Sequence, residues 1–272
     1  MIKGGIISSN NEMRKALKAH MDRLSDTTND TYNSAFRTFF YELYLNELLN
    51  KFVFLTVKWT NKNDSLLNIV DVNNDLVLDG SVSFGSNGFY LTVVGTGGLI
   101  TEQNTSYYDF NLRDDFTHGL YLSNSFSTDG YLLDVDYQNQ DYGHQLGYPG
   151  VTPPRGTISG SGATFSSITV PAYLGNTSLR YKESVSYNMK LNSYPGDQTL
   201  SYAGSSTVTN TNDPPVTFTG FTSTAGYDYD NASFYSSAQY YGYYLDDTEY
   251  ALFESLLVAY LDAIGVTTYE WE

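Results

Sequence analysis

The sequence of 272 residues contains no cysteine. This absence excludes a disulfide framework and every metal site that depends on thiolate ligands. The chain also lacks any apolar run near the roughly 18–20 residues that span a bilayer, and no apolar export segment follows Met1. We therefore expect neither a transmembrane helix nor a signal peptide.

Charged residues are scarce and unevenly distributed. They make up 16% of the chain, against about a quarter in an average globular protein. Residues 1–62 carry nine Lys and Arg against six Asp and Glu, whereas residues 63–272 carry five against twenty-four, a net charge of −19. Such an acidic body repels nucleic acid and anionic lipid, so we expect neither as a partner.

The basic residues nearest the start form one short stretch that has two interpretations. Its members are Arg14, Lys15, Lys18 and Arg23. They fit the solvated face of a helix, and they also fit a contact with an acidic partner, which includes the body of another copy.

Motifs that carry chemistry are few. The three histidines, His20, His118 and His144, do not fall at a spacing typical of metal ligands. No nucleophile elbow G-x-S-x-G, no P-loop and no G-x-G-x-x-G after a strand is present. The sequence therefore predicts no catalytic residue, no metal site and no cofactor, names no ligand-binding residue, and leads us to expect a protein that is not an enzyme.

Acidic side chains nevertheless form three patterns with more than one interpretation. Two carboxylate pairs each lie on one face of a predicted strand: Asp134 with Asp136, and Asp228 with Asp230. Such pairs occur in glycosidases and on plain solvated faces, and they keep a carboxylate-based hydrolase as a third hypothesis. The run 71–75 resembles the opening of a calcium loop, but Leu76 and Val82 stand where Gly and a bidentate Glu belong, so a hairpin tip is the simpler interpretation.

Helical periodicity appears at both ends of the chain. Residues 9–24 predict a helix capped by Ser9 with Glu12, and residues 30–50 predict a second helix with an aromatic stripe, so that the two form an αα-hairpin. At the other end, Asp246 with Glu249 predicts a helix start, and Gly265 predicts its end.

A period of two dominates the middle of the chain. The first four predicted strands form a meander with turn residues at each bend: 52–59, 66–72, 76–84 and 89–94. Later strands are predicted near 107–112, 119–123, 131–137, 164–170, 179–191, 199–208, 216–221 and 234–244. Residues 138–163 are rich in Gly and Pro, which predicts a long loop or linker.

These elements predict an α+β fold that is mainly antiparallel β, with a sandwich-like body, an N-terminal helical hairpin and a C-terminal apolar helix. The predicted regions are 1–51 for the hairpin, 52–137 for a first β region, 138–163 for the linker, 164–245 for a second β region, and 246–272 for the last helix and tail. A single domain overall is the alternative.

The last Tyr-rich strand and the C-terminal helix are the predicted contact surfaces. The strand is open to three interpretations, namely a packed half-buried strand, a protein interface or a glycan-binding platform, because Tyr supplies large contact area at low entropic cost. The helix is apolar nearly all round, so it belongs either in the core or between subunits. The interface candidates are Tyr240, Tyr241, Tyr243, Tyr244, Phe253, Leu256, Leu257 and Tyr260.

The Tyr-, Asn-, Ser- and Thr-rich body from about 63 to 245, the lack of cysteine and the start without an export signal resemble virion structural proteins. Capsid, turret or tail components of tailed phages and archaeal viruses have a similar composition. The resemblance implies a β-rich protein that is made in the host cytoplasm, exposed outside the cell after release, and joined to other copies and other virion proteins. The alternative function is a glycan-binding module or adhesin that uses exposed Tyr residues.

Overall fold

The computed structural model describes fourteen stretches of the chain. They are residues 10–80, 82–91, 97–101, 115–126, 130–137, 143–148, 155–160, 163–164, 168–169, 173–182, 188–192, 198–201, 216–220 and 235–268. The strand predicted at 107–112, the carboxylates Asp228 and Asp230, and the cap residue Ser9 lie outside the described residues.

Two helices occur at the start of the chain, as predicted. Helix α1 is Asn10–Met21 and helix α2 is Asp30–Leu45, followed by a short 3-10 helix, Leu48–Lys51. Helix α2 begins at Asn29, whose side-chain oxygen accepts hydrogen bonds from the backbone N–H groups of Thr31 and Tyr32.

Helix α3, Asp247–Ala263, has both of its predicted end signals. The Asp246 carboxylate accepts from the Glu249 backbone N–H at 2.8 Å, and the Glu249 carboxylate accepts from the Asp246 N–H at 3.0 Å, which completes a capping box. Gly265 takes a left-handed φ of 76°, and the next N–H, that of Val266, bonds back to the Leu261 carbonyl at 3.0 Å.

The strands form two antiparallel sheets of eight strands each. In chain order they are β1 Phe52–Val57, β2 Leu76–Gly80, β3 Val82–Gly85, β4 Gly88–Leu91, β5 Gly97–Thr101, β6 Asp115–Phe126, β7 Gly130–Tyr137, β8 Gly143–Tyr148, β9 Arg155–Gly160, β10 Ala163–Thr164, β11 Ile168–Thr169, β12 Tyr173–Lys182, β13 Asn188–Asn192, β14 Gln198–Ser201, β15 Val216–Gly220 and β16 Ser236–Tyr243. The first sheet runs β14-β13-β12-β6-β16-β4-β3 with β1 also on β16, and the second runs β10-β9-β8-β7-β15-β5-β2 with β11 on β9.

The predicted four-strand meander is wrong except for the β3–β4 hairpin. Strand β1 pairs with β16, far along the chain, and no strand forms at 66–72. A buried Asn68 explains the missing strand, because its amide oxygen accepts from the Leu55 N–H at 3.2 Å and its amide nitrogen donates to the Asn74 carbonyl at 3.1 Å. This side chain bonds the backbone groups that a strand partner would otherwise satisfy.

The loop predicted at 138–163 is also corrected, because β8 and β9 lie within it. Strands β7, β8 and β9 pair in succession, so Gly143, Gly147, Gly156 and Gly160 are accommodated inside a sheet. Each sheet takes strands from both predicted β regions, since β6 pairs with β12 and β7 pairs with β15. The division of the chain into domains stays a prediction.

The principal core lies between the three helices and one face of the first sheet. Aromatic rings connect the layers: Phe36 meets Trp59 edge-on at 5.2 Å between ring centroids, and Phe253 meets Phe52 at 4.7 Å and Tyr240 at 4.8 Å. Helix α3 therefore packs its apolar stripe into the core, and a position of its other side between subunits stays a prediction. The α+β, mainly antiparallel fold is confirmed.

Candidate functional site

The outer surface of the α2–α3 pair is the most unusual feature of the described surface. We call the exposed and half-exposed residues that form it the helix face: Thr31, Ser34, Thr38, Tyr41 and Leu45 of α2, and Ala251, Leu252, Ser255, Leu256, Ala259 and Ala263 of α3. None of them is charged, and the α2 members repeat at intervals of three and four residues, which places them along one side of a helix.

A groove runs between the two helices within the helix face. It has a volume of about 580 Å³, and small side chains shape it. Phe39 and Tyr260 form part of its wall, stacked with ring centroids 5.3 Å apart. The remaining lining residues are Asp30, Thr31, Ser34, Ala35, Thr38, Leu256, Ala259 and Ala263.

Two large side chains project from the other end of the same stripe. Leu45 is 51% exposed and Tyr41 is 41% exposed. A solvated helix normally directs charged residues to water, as α1 does with Arg14, Lys15 and Lys18. The helix face thus combines a concave part with a convex part, an arrangement that can bind a complementary surface.

The predicted interface residues are mostly inside the chain. Tyr240, Tyr241, Phe253, Leu257 and Tyr260 are buried in the described structure, each 2% exposed or less. Of the other three, Tyr243 is exposed and Tyr244 and Leu256 are half-buried. Only these three remain accessible to a partner, and their role in association stays a prediction.

Sequence reasoning chose the inward stripe of α3 and missed the outward surface beside it. Of the predicted residues, only Leu256 belongs to the helix face. The signal for that face was present in α2, where uncharged residues repeat on the side opposite the aromatic stripe of Phe36, Phe40 and Leu43.

A buried polar cluster explains why the Tyr-rich strand packs under α3. The Tyr240 hydroxyl donates to the Asn176 side-chain oxygen at 2.7 Å, and the Tyr250 hydroxyl donates to the Asn176 carbonyl at 3.1 Å. Arg180 lies over the Tyr250 ring at 4.2 Å and donates to the Asp247 carboxylate at 3.1 Å. Burial raises the pKa of both tyrosines, so their hydroxyls stay protonated as donors, and the cluster ties α3 to β12 and β16.

Lys58 is the most unusual buried cation. Its residue is 5% exposed, its ammonium donates to the Tyr32 hydroxyl at 2.6 Å and to the Trp59 carbonyl at 3.2 Å, and it lies over the rings of Tyr32 and Phe84. Desolvation by burial lowers its pKa from 10.5 to about 8. These contacts join β1 to α2 and do not open onto the groove, whose lining includes neither Lys58 nor Tyr32.

The described residues offer no alternative centre for metal chemistry. No three His, Asp or Glu side chains among them gather as metal ligands would. At the calcium-like run, the Asp71 carboxylate accepts from the Asn73 backbone N–H at 3.0 Å, which is the geometry of an ordinary Asx turn. Asp134 and Asp136 lie two residues apart on β7. In the described part of the chain, no helix has the length and apolar character needed to cross a membrane.

Comparisons with known proteins show the fold alone. No known protein family and no curated protein matches the sequence. A mutant Trypanosoma rangeli sialidase with trans-sialidase activity is similar to this chain at a TM-score of 0.51 and 16% identity, over 86% of this chain and 39% of the sialidase. The chain thus spans about two fifths of that protein.

Two further solved structures show weaker likeness. The Trypanosoma rangeli sialidase in complex with sialic acid reaches a TM-score of 0.40 at 16% identity, over 79% of this chain and 34% of its own. The CBM2 module of the evolved Dit of Lactobacillus casei BL23 phage J-1 reaches 0.36 at 12% identity, over 72% of this chain and 97% of the module. At these scores neither likeness bears on function.

Proposed function

We propose that this protein is a structural component that associates with copies of itself, and that it does so in a virus particle as a capsid, turret or tail protein. One observation carries the proposal: a helix face with two projecting apolar side chains, and with a groove whose one charged lining residue is Asp30, lies on a chain of net charge −16. Exposed apolar patches of this kind are typical of protein–protein contact sites.

Buried polar contacts in the described part of the chain support a structural role. The Tyr240–Asn176 and Arg180–Asp247 contacts, for example, fix α3 on the first sheet. The groove has small hydroxyl and methyl groups along its length and only Asp30 as a charged member. General acid–base work needs paired ionisable groups in a cleft, and the groove lacks such a pair.

The location in a virion rests on composition. The body from about 63 to 245 is rich in Tyr, Asn, Ser and Thr and carries most of the negative charge, which suits a surface presented to water outside a cell. The absence of cysteine suits assembly in a reducing cytoplasm.

Sedimentation velocity over a concentration series tests self-association. We expect the sedimentation coefficient to rise with concentration toward a defined oligomer, since closed symmetric assemblies are the usual outcome for a repeated surface. A monomer at every concentration up to the millimolar range contradicts the proposal.

A glycan-binding module is the second candidate, and a pair of half-exposed rings favours it. Tyr90 of β4 and Tyr235 before β16 have ring centroids 4.8 Å apart, next to the β3–β4 turn. Accessible aromatic rings provide a surface on which sugar rings stack. A glycan array with the native protein and the Tyr90→Ala variant tests it: binding that the variant loses supports the module, and no binding across the array removes it.

A further inference from the structure

We infer that the helix face docks on the same face of a second copy, about a two-fold axis, to form a four-helix layer. This inference rests on the proposed self-association and names its surface and symmetry. The α2–α3 pair of one copy then packs face to face on the α2–α3 pair of the other. The four helices form an ordinary four-helix bundle, and the contact between the copies lies at its centre.

Charge selects the helix face as the contact between copies. Two chains of net charge −16 repel each other, and the repulsion is weakest where the approaching surfaces carry no charge. The charged residues next to the helix face are Asp30, which also lines the groove, Arg37, Glu42 and Asp262. A strongly basic partner would instead choose the acidic body, so an equally uncharged surface is the better match for this one.

The area of the helix face is of the order that a contact between two copies needs. Helices α2 and α3 have 16 and 17 residues, and so are about 24 and 25 Å long. Two helices at ordinary packing distance are about 20 Å wide, which gives a projected face of about 500 Å². A standard interface buries about 800 Å² per partner, so the helix face supplies more than half of that area by its projection alone.

The shape of the helix face is complementary to itself under a two-fold rotation. The groove occupies the end of α2 that begins at Asp30, and the projecting Tyr41 and Leu45 occupy the other end. A two-fold axis perpendicular to the helices reverses their direction, so the convex end of one copy lies over the concave end of the other. Thr38, in the middle of the stripe, then lies nearest the axis.

Ala259→Arg tests the surface, and Ala19→Arg is its matched control. Both alanines are exposed on helices, Ala259 in the groove and Ala19 on α1, so neither change disturbs the core. Circular dichroism should show an unchanged fold for both. We expect the dissociation constant from sedimentation to rise about 30-fold or more for Ala259→Arg, because an unpaired charge becomes buried at the contact, and to stay unchanged for Ala19→Arg.

A single introduced cysteine tests the symmetry. Because the chain has no cysteine, a thiol at position 38 can be bridged only to a thiol of another copy. We expect a short bismaleimide to convert Thr38→Cys into a covalent dimer and to leave Ala19→Cys monomeric on a denaturing gel.

The outcomes separate the inference from the proposed function. Association that Ala259→Arg leaves intact overturns the inference, while self-association itself stands. Loss of association with Ala259→Arg, but no dimer from Thr38→Cys, overturns the two-fold arrangement. A native protein that stays monomeric overturns both the inference and the proposed function.

Discussion

At the scale of single residues, Lys58 is a buried cation that the fold tolerates at a cost to stability. Its ammonium has a hydroxyl, a carbonyl and two aromatic rings around it, and no carboxylate of the described residues forms an ion pair with it. Because burial lowers the pKa to about 8, the charged form is less stable in the folded state than in the unfolded state. Stability should rise as the pH increases from about 8 to 10.5.

We therefore expect Lys58→Met to raise the free energy of unfolding at pH 7 by about 1 kcal/mol, because a buried charge is replaced by an apolar chain of similar length. Urea unfolding measures the change. Lys51→Met is the control, since Lys51 pairs with Glu249 at 2.6 Å and its loss should lower stability slightly. Equal destabilisation by the two variants would contradict this account of Lys58.

Two glycines allow steric and conformational effects to be separated. A Cβ at Gly119 would lie 2.3 Å from the Tyr240 hydroxyl and 2.7 Å from the Thr177 carbonyl, whereas a Cβ at Gly265 would meet nothing within 4 Å and would suffer only from the left-handed φ of 76°. We expect Gly119→Ala to lower the free energy of unfolding by about 3 kcal/mol and Gly265→Ala by about 1 kcal/mol. Thermal unfolding of the two variants checks the order, and a larger loss at Gly265 would show that the sheet yields at Gly119.

At the scale of elements, the capping box of α3 can be tested directly. Asp246→Ala removes the acceptor for the Glu249 N–H, and we expect it to lower the free energy of unfolding by about 1 kcal/mol. Asp246→Asn retains a side-chain oxygen at the same place and should cost only a few tenths of a kcal/mol. Denaturant unfolding compares the two, and equal losses would mean that the charge of Asp246, not its hydrogen bond, supports the helix.

The sequence predicts an element correctly where interactions between residues a few positions apart determine that element. The capping residues around α3 identified both of its ends, because a helix end is satisfied by residues a few positions away. The stretch 66–72 was predicted as a strand from its alternation, but Asn68 bonds the neighbouring backbone with its own amide group. No pattern in the sequence distinguishes that amide from one that points to water.

At the scale of the whole molecule, the sequence predicted the fold class but not the topology. Strand β16 lies between β6 and β1, so the chain closes its first sheet with strands about 180 residues apart in sequence. Pairing between strands so far apart depends on packing across the whole core, for example between Tyr240 and Phe253. The residues near each strand therefore do not identify its partner. For the same reason the sequence of α3 does not show which side of the helix faces the core.

Two buried histidines make the stability of the whole fold sensitive to acid. His20 is 3% exposed and stacks on Phe36 at 4.9 Å between centroids. Burial, helped by Arg23 and opposed by a hydrogen bond with the Asn68 backbone and by Asp64, lowers its pKa from 6.5 to about 4. His118 is fully buried, and burial lowers its pKa to about 3. Both are therefore neutral in the folded state at pH values where they are charged in the unfolded chain.

Unfolding consequently takes up protons below pH 6.5, and the free energy of unfolding should fall as the pH decreases toward 4, by up to about 1.4 kcal/mol per pH unit for each histidine. Partial neutralisation of the acidic body acts in the opposite direction, because it relieves repulsion between carboxylates. His20→Gln separates the two effects, since it removes one histidine and leaves the carboxylates unchanged. Urea unfolding between pH 7 and 4 should show a shallower pH dependence for His20→Gln than for the native protein, whatever its stability at pH 7. Parallel curves would mean that His20 is protonated in the folded state and that the acid response belongs to His118 and the carboxylates.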